Sequence, residues 1–199
     1  MSHAPHDPHG NPADLAHYIE RLEASDRAAW QMPDAVVAAL GLRPGHVVAD
    51  LGAGPGYFAL RLARKVGKLG RVFAVDVEPA ILTVLRERLA AQKIERITPV
   101  LGLPDDPLLP AASCDRVLSV NAYHHYHDRP AALRRMARLL RRGGRLAVID
   151  FHKRESPMGP PLEARVSREQ FLDDSKRAGL CVAKELGFLP HQYFFLLRA

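Results

Sequence analysis

The stretch that decides the fold runs His46-Val47-Val48-Ala49-Asp50-Leu51-Gly52-Ala53-Gly54-Pro55-Gly56-Tyr57-Phe58. Its first half is a short apolar run bounded by Gly45 and Gly52, the pattern of a strand buried on both faces. A glycine-rich turn follows, and then a helical pattern, YFALRLARKV, closed by Gly67. Glycines between a buried strand and a helix let the backbone adopt positive φ and approach a ligand closely. Dinucleotide sites use such a turn with the spacing G-x-G-x-x-G, where the third glycine allows close helix–strand packing. Here the spacing is G-x-G-x-G, and Tyr57 stands where that third glycine would be. A bulky ring there argues against a pyrophosphate turn. With Asp50 just ahead of it, the turn suits a phosphate-free ligand whose ammonium and carboxylate must both be held.

Outward from this turn, strand and helix patterns alternate. GRVFAVDV reads as a second strand, with Pro79 opening the next helix to about Gln92. RITPVLG, CDRVLSVNA and RLAVIDFH read as strands three, four and five. Pro130 starts an arginine-rich helix that is expected to stop at Gly143-Gly144. SREQFLDDSKRAG reads as a helix with Ser167 as N-cap and Gly179 closing it, and LCVAKELGF and QYFFLLR as a terminal pair of strands. This order predicts an α/β fold: a doubly wound, mainly parallel seven-stranded sheet with helices on both faces, Rossmann-like, behind a short N-terminal helical cap. The expected organisation is a disordered His/Pro/Gly-rich tail at 1–12, a helical cap at 13–41 broken near Ser25, and the ligand-binding domain at 42–199. Ligands on such sheets sit beyond the carboxyl ends of the strands. That rule selects Asp50–Gly56, Asp76, the loop after Gly102, Asn121 and the residues after Asp150. Asp76 ends the second strand, about 20 residues past the glycine turn, where a carboxylate matches a ribose diol.

Composition narrows the classes. The chain has 199 residues, 47% of them apolar, and a net charge of +6. No apolar run is long enough to cross a bilayer, so no membrane role is expected. Two distant cysteines, Cys114 and Cys181, make neither a disulfide framework nor a metal-ligand spacing, which fits a reducing cytoplasm. The positive charge is concentrated from Arg129 to Lys153. On RPAALRRMARLLRRGG, Leu133, Met136, Ala137 and Leu140 form one side and arginines the other, the look of a solvated helix face. No aromatic-rich basic groove accompanies it, so nucleic acid is disfavoured. His3, His6 and His9 lie in the tail, where no fixed metal geometry is expected, and no metal is assigned.

Four segments in order, ADLGAGPGYFALRLA, VFAVDVEP, CDRVLSVNAYHH and LLRRGGRLAVIDF, resemble those of class I S-adenosylmethionine-dependent methyltransferases, in particular the small bacterial group with a DxGxGxGYF first motif. The resemblance runs from about Trp30 to Ala199. It implies that Asp50, Gly52, Gly54 and Gly56 surround the methionine part of S-adenosylmethionine, with Ala53 and Tyr57 also in the cofactor site. It implies further that Asp76 holds the ribose, Val77 packs on the adenine, and Asn121 contacts the methionyl end. The segment Gly102–Asp106, with Pro104 and Asp105, would lie beside the adenine edge. There the chain departs from the family, because Leu103 occupies the usual acid position. Asp105, Asp106 or a backbone group is left to make that contact, and both acids also suit a turn.

Methyl transfer from a sulfonium is an in-line displacement in which the protein mainly aligns the reactants. A base is needed only if the acceptor loses a proton. Tyr123, His124, His125 and His127 follow strand four and supply the catalytic candidates, chiefly His124, His125 and Tyr123. A metal site and a purely structural role compete with that reading. Tyr18, Trp30 and Tyr193 are candidates for the substrate pocket, and the stiff loop Pro157–Pro161 for its rim. The short cap favours a small-molecule acceptor, and two cysteines disfavour arsenite. The alternatives are a non-catalytic module that binds or senses S-adenosylmethionine, and a nicotinamide-dependent oxidoreductase, which Tyr57 argues against.

Overall fold

The computed structural model describes residues 14–24 and 26–199. The expected tail at 1–12, with its three histidines, lies outside them. Three short helices come first: α1 (Leu15–Leu22), α2 (Arg27–Gln31) and α3 (Pro33–Ala39). Pro33 starts α3 with the φ it needs, and the left-handed Met32 (φ 44°) makes the sharp corner between α2 and α3. The alternating part follows as β1 (Val47–Leu51), α4 (Ala59–Val66), β2 (Arg71–Asp76), α5 (Pro79–Ala91), β3 (Ile97–Leu101) and β4 (Cys114–Val120). It continues as α6 (Arg129–Arg138), β5 (Leu140–Phe151), α7 (Arg168–Arg177), β6 (Cys181–Leu186) and β7 (Gln192–Arg198).

The seven strands form one sheet in the order β3-β2-β1-β4-β5-β7-β6. All pairs among β1–β5 are parallel, and β7 runs antiparallel between β5 and β6. The expected terminal pair is thus a β6–β7 hairpin. The period-2 alternation of the strands feeds two cores. Along β5, Ala147 and Ile149 pack with α3, α4 and α5, whereas Leu146 and Val148 pack with α6 and α7. The order of the strands reverses between β1 and β4, so a crevice opens at their carboxyl ends.

One boundary differs from expectation. The arginine-rich helix ends at Arg138, not at Gly143-Gly144. Leu140 already pairs with Cys114 of β4, and the register then shifts before Arg116 meets Arg145. The glycine pair lies inside this irregularity, with Gly143 at φ 81°, so it marks a bulge rather than a helix stop. At α7 the capping is as read: Ser167 Oγ accepts from Gln170 N–H at 3.1 Å, and Gly179 (φ 78°) follows the last turn. No helix among the described residues is long and apolar enough to cross a membrane.

Candidate functional site

The crevice between β1 and β4 is the mouth of a cavity of about 230 Å³. The turn after β1 forms one wall. Gly52 and Ala53 both donate their N–H groups to the carbonyl of Val75 on β2, at 2.9 and 3.0 Å. Gly52 sits at φ 73°, and a Cβ there would lie 2.7 Å from the Cβ of Ala122. Any side chain at this position would collide with the loop after β4. Asp50, Gly52, Ala53, Gly54 and Tyr57 line the cavity; Gly56 does not. Gly56 (φ 98°) instead faces α5, where a Cβ would come within 2.7 Å of Leu85 Cδ1. Its missing side chain thus allows close packing against α5.

Asp76 and Val77 form the next part of the wall. The Asp76 carboxylate accepts from Gly54 N–H at 2.8 Å and from Glu78 N–H at 3.1 Å. Burial pushes its pKa up, against those backbone donors. Asp50 is buried deeper. Burial first, and the neighbouring Asp76 charge second, raise its pKa to about 7, while Arg27 and the Ala59 N–H oppose the rise. Among the described residues Asp50 Oδ2 has no hydrogen-bond partner.

After β3 the chain makes a tight turn in which Leu103 and Asp106 exchange backbone hydrogen bonds. Leu103, Pro104 and Asp105 line the cavity. Asp106 is a turn residue, its carboxylate accepting from Leu108 N–H at 2.8 Å. Asp105 lies 3.9 Å from Arg135, so α6 contributes a cation to this end.

Asn121, at the end of β4, is left-handed (φ 56°) and lines the cavity. Its side chain belongs to a closed ring of three carboxamides. Asn121 Nδ2 donates to Gln31 Oε1 at 3.3 Å, Gln31 Nε2 donates to Gln192 Oε1 at 2.6 Å, and Gln192 Nε2 donates back to Asn121 Oδ1. Gln31 and Gln192 are fully buried, so this ring ties α2 and β7 to the floor of the cavity.

The turn Tyr123–His125 separates the catalytic candidates. His125 lines the cavity. His124 does not; its Nδ1 lies 3.0 and 2.9 Å from the two carboxylate oxygens of Asp150. A carboxylate only accepts, so Nδ1 carries the proton in this pair. The two imidazoles are in contact, with centroids 4.1 Å apart. Tyr123 is removed from the candidates. It is fully buried, and its hydroxyl donates to Asp174 of α7 at 3.0 Å. Arg129 and Gln170 donate to the same carboxylate, which pins the turn to α6 and α7.

Of the pocket aromatics, Tyr18 reaches the cavity. Tyr193 does not: strand alternation turns it, like Phe195, into the α6–α7 core, where it packs 5.3 Å from Phe171. Trp30 rests on Phe151, centroids 5.7 Å apart, outside the cavity lining. The loop at 157–161 does not line the cavity. Buried Arg165 ties it down, donating to the carbonyls of His152, Arg154, Met158 and Pro160 and to Ser156 Oγ.

Sequence patterns missed Arg27. It lines the cavity from the amino end of α2, with its guanidinium 3.9 Å from the centroid of the Tyr57 ring. Arg61 lies over the same ring at 4.3 Å. An arginine on a short polar helix reads as a solvated residue; only Tyr57, itself conspicuous in the glycine turn, hinted at a partner. Above this wall α1 is fastened by Arg88 of α5, which bonds both Glu23 and the carbonyl of Pro55 in the glycine turn.

Comparison with known proteins gives a consistent picture. A family model described as a methyltransferase domain matches residues 48–144. The ubiquinone/menaquinone biosynthesis C-methyltransferase UbiE of Chromobacterium violaceum is 36% identical over 100 residues, covering 49% of this chain and 40% of that protein. A 2-phytyl-1,4-naphtoquinone methyltransferase of Nostoc punctiforme is 35% identical over 112 residues, covering 53% of this chain and 45% of that protein. The chain thus spans half or less of the length of these relatives. The crystal structure of a SAM-dependent methyltransferase from Aquifex aeolicus superposes with a TM-score of 0.86 at 23% identity, covering 97% of this chain and 98% of that one, which establishes the shared fold.

Proposed function

We propose that this chain, which belongs to the class I S-adenosylmethionine-dependent methyltransferases, transfers the methyl group of that cofactor to a small-molecule acceptor by in-line displacement. The observation that carries the proposal is the convergence of Asp50, Asp76 and the glycine turn on one cavity, with a buried Asp50 oxygen left without a partner among the described residues. A buried carboxylate oxygen with no donor costs free energy unless a ligand supplies one. An ammonium group meets that need. When bound, the cofactor supplies an electrophilic methyl on a sulfonium.

The residues then take these roles. Asp50 and the backbone of Gly52–Gly54 hold the amino-acid end. The Asp76 carboxylate, held by the backbone N–H groups of Gly54 and Glu78, is the acceptor for the ribose hydroxyls. Val77 offers an apolar face to the adenine, and Pro104 and Asp105 border its edge. Asn121, its side chain locked by the carboxamide ring, presents the end of β4 to the methionyl part. His125 faces the cavity and takes the acceptor proton where one must leave; His124, oriented by Asp150, positions it. Tyr18 and the α1 segment exclude water from above.

The names of the relatives make quinone-type rings the first acceptor class to test. The test is incubation with labelled S-adenosylmethionine and a panel of quinone-type and other planar acceptors. The expected result is one methylated product formed in equal amount with S-adenosylhomocysteine. Tight cofactor binding with no product across the panel would contradict methyl transfer.

A further inference from the structure

We infer that Arg43, Arg116, Arg145 and Arg198 form a binding site for the phosphate or diphosphate group of a small ligand, at the amino end of the sheet. The site lies at the opposite end of β4 from Asn121, about 16 Å along the strand, and is independent of the cofactor reading.

The strand register builds it. Arg116 of β4 is the direct neighbour of Arg145 on β5. Leu146 pairs with Leu197 of β7, so Arg198 falls beside Arg145 on the next strand. Val117, Leu146 and Leu197 belong to the α6–α7 core. Alternation therefore turns the adjacent Arg116, Arg145 and Arg198 to the other face, the one that α3 covers. Arg43 joins them from the segment between α3 and β1. Three neighbouring strands span about 10 Å, the breadth of one or two phosphate groups and not of a nucleic-acid track. Arg43 and Arg198 are exposed and Arg116 and Arg145 are half-buried, so solvent reaches the group.

The bonding of these arginines orients them without neutralising them. Arg116 Nε donates to the carbonyl of Leu40 at 2.8 Å, and its Nη1 to the carbonyl of Asp115 at 2.7 Å. Arg145 Nη1 donates to the carbonyls of Gly143 and Gly144 at 3.3 and 3.1 Å. Among the described residues none of the four arginines forms an ion pair. One acid, Asp115, stands close to Arg116, but its Oδ2 already accepts from Val47 N–H and from a further arginine, Arg141. Burial first, and then the charges of Arg145 and Arg43, pull the pKa of Arg116 down, with Asp115 opposing them. Like charges held together in this way are relieved by an oxyanion. Guanidinium forks fixed by backbone carbonyls suit the several oxygens and the double charge of a phosphate.

The test is calorimetry and thermal unfolding of the full chain in sodium phosphate, in sodium pyrophosphate, and in sodium chloride of matched ionic strength. Saturable one-to-one binding of at least one of the phosphate anions is expected, with a Tm above that in chloride. Arg43→Gln and Arg198→Gln, both at exposed positions, are each expected to weaken that binding roughly 3- to 10-fold, the range of one net hydrogen bond. Arg86→Gln, at an exposed position on α5, is expected to leave it within about twofold. Circular dichroism checks that each variant keeps its fold. No saturable binding beyond the chloride control, unchanged affinity in the Arg43→Gln/Arg198→Gln double variant, or an equal loss in Arg86→Gln would overturn the site. Tighter binding of a single-stranded oligonucleotide than of pyrophosphate, growing with its length, would make this face a nucleic-acid surface and overturn the small-ligand site as well.

Discussion

The carboxylate of Asp76 accepts the N–H of Gly54 at 2.8 Å, so the acid at the end of β2 and the glycine turn after β1 are a single rigid unit. Replacing Asp76 therefore acts twice: it removes the proposed diol acceptor and leaves the N–H groups of Gly54 and Glu78 without their acceptor. Asp76→Ala is expected to weaken S-adenosylhomocysteine binding at least 10-fold and to lower stability by about 1–3 kcal/mol. Unchanged affinity in calorimetry would remove Asp76 from the site.

With Asp50 as the proposed partner of the ligand ammonium, cofactor binding is expected to depend on pH. Its pKa in the folded chain is raised from 3.8 to about 7, first by burial and then by Asp76. The sign follows from linkage. A raised carboxylate pKa gives a stability contribution that is full below the unfolded value and is lost as pH rises through about 7. The ammonium of the ligand needs the ionised form, so below that pH binding must expel a proton. S-adenosylhomocysteine affinity is expected to rise between about pH 6 and 7.5, with proton release visible as a dependence on buffer ionisation enthalpy. Asp50→Asn should bind weakly at every pH. A flat profile in the wild type would contradict the role given to Asp50.

The carboxamide ring joins residues that are far apart in the chain. Gln31→Ala leaves buried polar groups of Asn121 and Gln192 without partners, which costs about 1–3 kcal/mol. Urea denaturation should show that loss, and proteolysis should speed up between α1 and α2, the segment that Gln31 helps to tie to the sheet. Wild-type stability in this variant would mean that the ring contributes nothing to docking.

Tyr123 is a structural residue in this account. Tyr123→Phe removes one donor to Asp174, which keeps Arg129 and Gln170, so the expected cost is about 1 kcal/mol. Methyl transfer, once an acceptor is found, should persist within a few-fold, whereas His125→Ala should lower kcat more than KM for an acceptor that loses a proton. A Tyr123→Phe variant that folds but has lost turnover would restore the tyrosine as a catalytic group.

Much of this was legible in the sequence, for physical reasons. The β1 run is apolar on both faces because its strand is buried on both faces, and the glycines announce the turn because Gly52 and Gly56 tolerate no Cβ. Asp76 and Asn121 stand where the rule for parallel sheets places ligand contacts. The errors share a cause: they depend on neighbours distant in the chain. Arg27 is buried because Tyr57 and α1 enclose it, which no local pattern encodes. The arginine-rich helix stops early because β5 begins pairing with β4 at Leu140, before the glycines are reached. Tyr193, an aromatic near the end of the chain, reads from the sequence as a pocket residue. Counting in twos along β7 groups it with Phe195 and Leu197, all of which face the α6–α7 core.

The cavity at the glycine turn is proposed to take a sulfonium nucleoside with its amino-acid half, not a dinucleotide. The most direct measurement is side-by-side calorimetry of the wild-type chain with S-adenosylmethionine, S-adenosylhomocysteine and NAD. One-to-one binding of both sulfur ligands and no measurable heat with NAD are expected. Binding of NAD in preference to both would contradict that proposal.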